Sequence, residues 1–348
     1  MHNKNTCHYN LPIFMLVKKL LFNSKLIKTI VNIILILFLL LKRVYEYPYH
    51  RPYNSRAIIL DIKIFNNQGY HPKVLSFNNL WNGYKYWITY TPYPHGDETK
   101  ENPFINASND LIHWKSPKGL KNPLDIPLIS NIDHYNSDTH LLYNKNSNEL
   151  LVVWRYVNLK DNQATIYIRK SKDGINWSEK EIFIKSNNRT EQDYVSPCIN
   201  YENGIYRMWY VHRKKIFYLE KNVEKITEPK LLNINYDNNY YTWHIDIIYN
   251  EEKKLYELVT CAYIDVNDRS TMPLFYLSSR DNIIWSKPII ILKPAVNTLK
   301  FDSQGLYRSS LVYENGTYYL FYSGHDKYRN TGIGLMYGKN ITELKPYL

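Results

Sequence analysis

A chain of 348 residues carries a formal charge of +12, with 34 Tyr, 8 Trp and 11 Phe against only 12 Gly. That length suits one large domain or two ordinary ones, and aromatic wealth of this order favours strands over helices. The charge does not argue for a nucleic-acid partner. Residues 1–50 hold Lys4, Lys18, Lys19, Lys25, Lys28, Lys42 and Arg43 against Glu46 alone, and the mildly basic remainder has no long Lys/Arg run and no recognisable nucleic-acid module.

The N-terminal charge brackets TIVNIILILFLLLKR (29–43), whose thirteen almost purely apolar residues follow Lys18, Lys19, Lys25 and Lys28 and end at Lys42 and Arg43. A bilayer span needs about 20 such residues, while a signal-peptide core is this short. No small-x-small cleavage site follows, so an uncleaved signal-anchor helix is expected over 1–45. A cleaved signal peptide and a buried core helix are the alternatives. The lysine bias orients the N-terminus inward and places the domain at 46–348 outside the cytoplasm, membrane-anchored or secreted.

Strand-like material begins at AIILDIKIF (57–65) and then recurs in units. Alternating segments start near 72, 138, 195, 245 and 307, each followed by two or three more, as in THLLY (139–143), LLVVWRYV (150–157) and TIYIRK (165–170). Polar turns such as NKNSNE (144–149) and ENG (202–204 and 314–316) join them. Five antiparallel meanders of this rhythm predict an all-β, five-bladed β-propeller over 46–348. Its fifth unit shows three clear strands before Leu348, so strand 57–65 is expected to close that last blade. The cysteines Cys7, Cys198 and Cys261 make no disulfide framework, and Cys198 and Cys261 are expected as separately buried thiols, with a bridge between them as the alternative.

Ser-x-Asp-x-x-x-Trp occurs three times, at 108–114, 171–177 and 279–285. It follows strands each time, where Ser and Asp would bond turn amides and Trp would pack between blades. The motif resembles the sialidase Asp box, which has one more residue between Asp and Trp. Asp110, Asp173 and Asp281 are therefore read as structural, and so are Trp87, Trp114, Trp154, Trp177, Trp209 and Trp285.

Ligands of propellers bind at one mouth of the central channel, so the polar residues entering the five inner strands are the suspects. They lie in GYHPK (69–73), NSDTH (136–140), DYVSP (193–197), TWHID (242–246) and LYRSS (306–310). Polar side chains entering buried strands need a reason. TYTPYPHGDETKENP (89–103) is a long polar insertion of the kind that walls a groove. Trp81, Tyr90, Tyr93, Trp243 and Tyr307 are candidate aromatic faces near that mouth for a ligand to stack on.

On this blade rhythm and these strand openings, residues 57–348 resemble the five-bladed propeller glycosidases, the family 43 arabinanases and xylosidases with their invertase and levansucrase relatives. The resemblance implies a carbohydrate substrate and glycoside hydrolysis by carboxyl groups at the channel mouth. It is divergent at the motifs: His71 stands near the family's first Asp, Asp138 or His140 near the second, and Trp243, His244 or Asp246 near its Glu. No cofactor is called for, though the resemblance admits a structural divalent ion such as calcium.

Glycoside hydrolysis needs two carboxyl groups astride the bond. Asp138 is the expected base or nucleophile, and Asp246 or Glu101 the acid. The bland alternative has Asp138 and Asp246 capping strands or pairing with Arg308 and Arg155. His71, His140, His244, Arg308, Tyr307, Trp243 and Arg155 are expected to bind substrate. Three imidazoles from three blades would alternatively hold a metal, and Arg308, Arg155 and His244 would alternatively seat phosphate, as in a related family of glycoside phosphorylases. A non-catalytic carbohydrate-binding propeller is the rival from another class.

Overall fold

The computed structural model describes residues 24–50, 57–62, 67–237, 239–265, 268, 270–296 and 300–347. The chain divides into two units, Met1–Arg51 and Pro52–Leu348. In the first, the apolar run lies in a helix, Ser24–His50, with Ile30, Ile33, Leu37, Phe38 and Leu41 among its exposed side chains. Among the described residues no helix is long and apolar enough to cross a membrane, so the expected signal-anchor span is not shown. Its apolar stretch stops after thirteen residues, short of the about 20 that a span requires.

The second unit is a five-bladed propeller of antiparallel meanders. Blade one comprises Gly69–Trp81, Tyr84–Pro92 and Phe104–Ser108. Blade two runs through His134–Asn144, Glu149–Asn158, Gln163–Ser171 and Glu181–Ser186. Blade three follows with Val195–Glu202, Ile205–His212, Lys215–Lys221 and Lys230–Leu231. Blade four has Tyr241–Asn250, Leu255–Tyr263, Leu274–Ser279 and Ile289–Leu292. Blade five has Gly305–Glu314, Thr317–His325, Thr331–Gly338 and Lys345–Pro346.

Each blade is apolar on both faces, because each packs between two others, and one apolar cluster fills every interface. Trp87, Ile105, Leu141 and Trp154 join blades one and two. Val153, Ile166, Ile199 and Met208 join two and three, and Cys198, Trp209, Ile245 and Leu258 join three and four. Val259, Leu274, Leu311 and Leu320 join four and five, and Phe321, Ile333, Val74 and Ile88 close five onto one. A fully buried side chain of this size is worth about 1.5–3 kcal/mol, so the ring is held by its interfaces rather than by one core.

Closure differs in detail from the expectation. Ala57 bridges Gly334 and the Ile58 amide donates to Ile333 O at 2.8 Å, both on strand Thr331–Gly338 of blade five; residues 63–65 of the expected strand lie outside the described residues. Two residues later the same segment leaves it, and Ile59–Leu60 pairs in parallel with His113–Trp114 of blade one. The fourth strand of blade five is Lys345–Pro346, which takes the other half of the Thr331–Gly338 edge. Segment 57–60 is thus a clasp between first and last blades, because blade five's outer edge is already partly filled from the C-terminal side.

The repeated motif is turn punctuation. Asp110 Oδ1 accepts from the amides of Ile112 and His113 at 2.9 and 2.8 Å, Asp173 Oδ1 from Ile175 and Asn176 at 2.8 Å each, and Asp281 Oδ1 from Ile283 and Ile284 at 2.8 Å each. The ring nitrogens of Trp114 and Trp177 donate back to Leu111 O and Gly174 O. Burial opposes ionisation of Asp110 and Asp173, but the turn donors outweigh it and hold both carboxyls down at about 2. The Asp173 turn also needs glycine at 174, where φ is +74° and a Cβ would lie 2.2 Å from the Trp87 ring.

Candidate active site

All five inner strands carry an irregularity of register at the same level. The shifts fall between Tyr70 and Lys73, Ser137 and His140, Val195 and Cys198, Thr242 and His244, and Leu306 and Ser309. An extra residue in a strand kinks it and re-aims its side chains. Here the extra residues include His71, Asp138, Ser196, Trp243, Tyr307 and Arg308, and the first three adopt positive φ of +52°, +50° and +54°. Non-glycine residues hold such angles only where surrounding structure over-determines them, and they cluster at functional sites.

The bulges bring four blades to one point. Asp138 Oδ1 lies 3.2 Å from His244 Nδ1, 3.8 Å from His71 Nε2 and 3.9 Å from Arg308 Nη1. All four side chains are buried. Despite these neighbours, Asp138 Oδ1 receives no well-aligned hydrogen bond. Burial alone would raise the Asp138 carboxyl, yet His244, His71 and the Arg308 guanidinium outweigh it and keep it ionised. Burial, the largest effect on His71, pushes its imidazole well below the ordinary value.

His71 is fixed from every side. Its amide donates to Ser323 Oγ at 3.0 Å, and its Nδ1 lies 2.9 Å from Thr91 Oγ1 and 3.4 Å from Glu101 Oε1. With Nδ1 engaged there, Nε2 is the nitrogen presented to Asp138. Glu101 comes from the polar insertion in blade one, immediately after a single 3-10 turn, Glu98–Lys100. It is buried, and burial, followed by the charge of Asp138, pushes its carboxyl well above the usual range.

A cavity of about 370 Å³ adjoins this cluster, lined by Tyr70, Tyr93 and Tyr307 and by polar groups that include Gln304, Ser270 and Thr331. The ring centroids of Tyr70, Tyr93 and Tyr307 stand 5.0, 6.3 and 5.4 Å from that of His71, so one wall of the cavity is also packed on the cluster. Trp243 Nε1 donates to Tyr307 Oη at 2.6 Å and supports that wall from behind.

The site expected from the sequence is therefore partly assembled. His71, Asp138, His244, Glu101, Arg308, Tyr307 and Trp243 come together. Asp246 and His140 do not join Asp138: they face a second buried cluster with Cys198 and Lys73. Lys73 Nζ lies 2.6 Å from Asp246 Oδ1, and the Leu311 amide donates to Oδ2 at 2.9 Å, so this carboxylate is already neutralised and bonded. His140 Nε2 lies 3.0 Å from Ile199 O and its Nδ1 lies 3.5 Å from Arg308 Nη2. The physical reason is strand alternation: two residues beyond a bulge, a side chain enters the channel at the next level. Arg155 is also diverted, since its guanidinium pairs with the Asp193 carboxylate and its Nε donates to Asp193 O at 2.8 Å. Trp81 and Tyr90 belong to inter-blade cores rather than to the mouth.

Among the described residues two trios could hold a cation, with ligand atoms within 4.8 Å of one another: His71, Asp138 and His244, and His140, Cys198 and Asp246. The second does not suit one. Lys73 occupies its carboxylate, and burial pushes the Cys198 thiol up to about 12, where it stays protonated and donates to Ile247 O at 3.2 Å. The first presents two imidazoles and one ionised carboxylate, a donor set suited to a hydrolytic divalent ion. Cys198 and Cys261 are both buried thiols, not bridged to each other. Thr91, Ser323, His325 and Arg329 were not singled out from the sequence, since nothing local sets them apart from other strand and loop polar residues.

No family model matches the chain. It is 26% identical over 336 residues to the A type blood N-acetyl-alpha-D-galactosamine deacetylase of Flavonifractor plautii, an alignment covering 80% of this chain and 42% of that protein. The chain thus spans less than half the length of that curated relative. Among solved structures, an N-acetylgalactosamine deacetylase from F. plautii in complex with blood group B trisaccharide matches with a TM-score of 0.70 and 23% identity, over 82% of this chain and 92% of that one. An exo-1,5-alpha-L-arabinanase from a bovine ruminal metagenomic library matches with a TM-score of 0.56 and 14% identity, over 78% and 92%. A thermostable family-43 glycoside hydrolase matches with a TM-score of 0.58 and 12% identity, over 81% and 93%. The fold of residues 57–347 is that of the five-bladed propellers to which these carbohydrate-active proteins belong.

Proposed function

We propose that this chain is a metal-dependent hydrolase that removes the acetyl group from an N-acetylated amino sugar. The observation that carries the reading is the trio His71, Asp138 and His244, buried together with ligand atoms within 4.8 Å and with Asp138 Oδ1 lacking an aligned donor. The named activity of the F. plautii relative supports the choice of substrate class. His71, through Nε2, with Asp138 and His244 would hold a divalent cation. Bound there, such an ion would polarise the acetamide carbonyl and lower the pKa of an attacking water. Thr91 keeps the His71 tautomer that offers Nε2 to the site. Glu101 is the buried carboxyl beside the trio, and it accepts the proton of the attacking water and returns it to the departing amine. The water oxygen bonds the carbonyl carbon, the carbon–nitrogen bond breaks, and acetate and a free amino sugar leave. Tyr70, Tyr93 and Tyr307 supply faces for the sugar ring.

A second reading, glycoside hydrolysis, is favoured by one observation: Glu101 and Asp138 flank the two ring nitrogens of His71, which leaves two carboxyl groups in one site. Of the two acids expected to partner Asp138, this reading takes Glu101 and leaves out Asp246, which is paired with Lys73. We also propose that the exposed apolar side chains of the helix Ser24–His50 hold the domain at a membrane surface.

One experiment separates the two hydrolytic readings. The full chain is purified, its metal content is measured, and acetate and reducing sugar are followed on N-acetylgalactosamine and N-acetylglucosamine glycosides, with and without EDTA. Acetate release that EDTA stops and a divalent ion restores supports the deacetylase. Reducing-sugar release insensitive to EDTA overturns it in favour of the glycosidase. Neither product, with glycan binding retained, leaves the non-catalytic carbohydrate-binding propeller.

A further inference from the structure

The cavity beside the trio carries charge that the proposed chemistry does not use. Lys327 and Arg329 line it, from the loop that follows strand Thr317–His325, together with Asp326 and Asp268. The two acids are engaged by their own loops. Asp326 is buried, its Oδ1 accepts from the amides of Tyr328 and Asn330 at 2.8 and 2.9 Å, and its Oδ2 accepts from Asn330 Nδ2 at 2.9 Å. Asp268 Oδ1 accepts from the Ser270 amide at 2.8 Å.

The cations have no such partners. Among the described residues no acceptor holds the Arg329 guanidinium; only its backbone amide is bonded, to Asp326 O at 2.9 Å. Lys327 Nζ rests 4.9 Å over the ring of its neighbour Tyr328. The guanidinium nevertheless has a built seat. It packs on Gly96, where φ is +76° and a Cβ would come within 2.6 Å of Nη1, so a side chain there would displace it. Its charge is felt on both sides of the cavity: burial raises the Tyr93 hydroxyl and Arg329 opposes that rise, while burial and then Arg329 lower the His325 imidazole. A planar, always charged fork held at a cavity wall without a protein acceptor matches an oxyanion of a ligand, which guanidinium binds bidentately.

We infer that the cavity takes a saccharide bearing an anionic substituent, a carboxylate, sulfate or phosphate, which Arg329 clamps with Lys327 beside it. The inference rests on the reading of this cavity as the saccharide site and adds the substrate's charge. Asp326 holds the loop in place and Asp268 limits the anion to the Arg329 side.

The test uses binding, not turnover. Galacturonate, N-acetylglucosamine 6-sulfate and glucose 6-phosphate are compared with galactose, N-acetylglucosamine and glucose by ligand-observed NMR titration of the full chain at low ionic strength. At least one acid is expected to bind about fivefold or more tightly than its neutral parent, the upper end for a partly exposed ion pair. Which acid does so identifies the group. Arg329→Gln, at an exposed position, should abolish the preference with an unchanged melting temperature, Arg329→Lys should keep part of it, and added salt should weaken it. Equal binding of all three acids and their parents, or a preference that survives Arg329→Gln, overturns the inference. Acid preference without turnover of any sugar would sustain it while removing the hydrolase reading. Turnover of neutral sugars with no acid preference would do the reverse.

Discussion

Replacing Asp138 by Asn keeps the shape of the side chain and removes one charge from the point where four blades meet. Arg308 Nη1, at 3.9 Å, then loses its nearest carboxylate. With an effective dielectric of about 20, that attraction is about 4 kcal/mol, an upper bound because Arg308 Nη2 still donates to Pro197 O at 2.7 Å. A loss of about 2–3 kcal/mol is expected, which lowers the melting temperature of a domain this size by roughly 3–5 °C. Stability alone would not distinguish a ligand from a structural acid, so Asp246→Asn serves as the comparison. It orphans Lys73 Nζ, now 2.6 Å from Asp246, in an equally buried place and should destabilise at least as much. The readout is bound divalent metal per chain by elemental analysis, beside acetate release, with thermal unfolding on the same samples. Asp138→Asn should lose the metal and about a thousandfold or more of the activity, in the range set by losing a key electrostatic group, whereas folded Asp246→Asn keeps the metal. Equal metal content in wild type and Asp138→Asn, with turnover within threefold, would refute the assignment of this trio.

Three further outcomes follow from other parts of the molecule. His325, held down to about 4 by burial and then by Arg329, binds its proton more readily unfolded. Stability is therefore complete above its unfolded pKa of about 6.5 and is lost as pH falls toward 4, by up to about 3 kcal/mol; denaturant titrations at several pH values should show this slope flattened in His325→Gln. Gly174→Ala meets both a positive φ and the Trp87 ring at 2.2 Å, so urea unfolding should show a loss of about 2–3 kcal/mol, against about 1 kcal/mol for alanine at Gly204, where φ is +82° but the space is open. Cys198, fully buried with its thiol pushed up to about 12, should resist a thiol reagent at pH 8 in the native protein and react on unfolding, with a rate that follows global opening.

The two acidic roles of the repeated motif and of the mouth were not equally legible. Asp110, Asp173 and Asp281 act within three residues of their partners, so spacing alone identified them as turn acids. Asp138 and Asp246 looked alike in sequence, each opening an inner strand, yet one is gathered with His71 and His244 and the other with Lys73. The distinction arises from the bulges, which no local pattern marks: His71, Asp138 and Ser196 adopt positive φ without being glycine. Glu101 stands in an insertion whose length and polarity suggested a groove wall, and its Oε1 lies 3.4 Å from His71 Nδ1.

What the sequence determined by itself is what short-range chemistry controls. Alternation and turn residues specify strands, their recurrence specifies five meanders, and apolar faces on both sides of every meander require a ring. What only the tertiary structure decided is which polar groups meet. His71, Asp138, His244 and Arg308 come from four different blades, so their contact depends on the register of every inner strand against its neighbour. A shift by one residue turns each side chain to the opposite face, and for that reason the fold could be read from the chain in order, while the site could not.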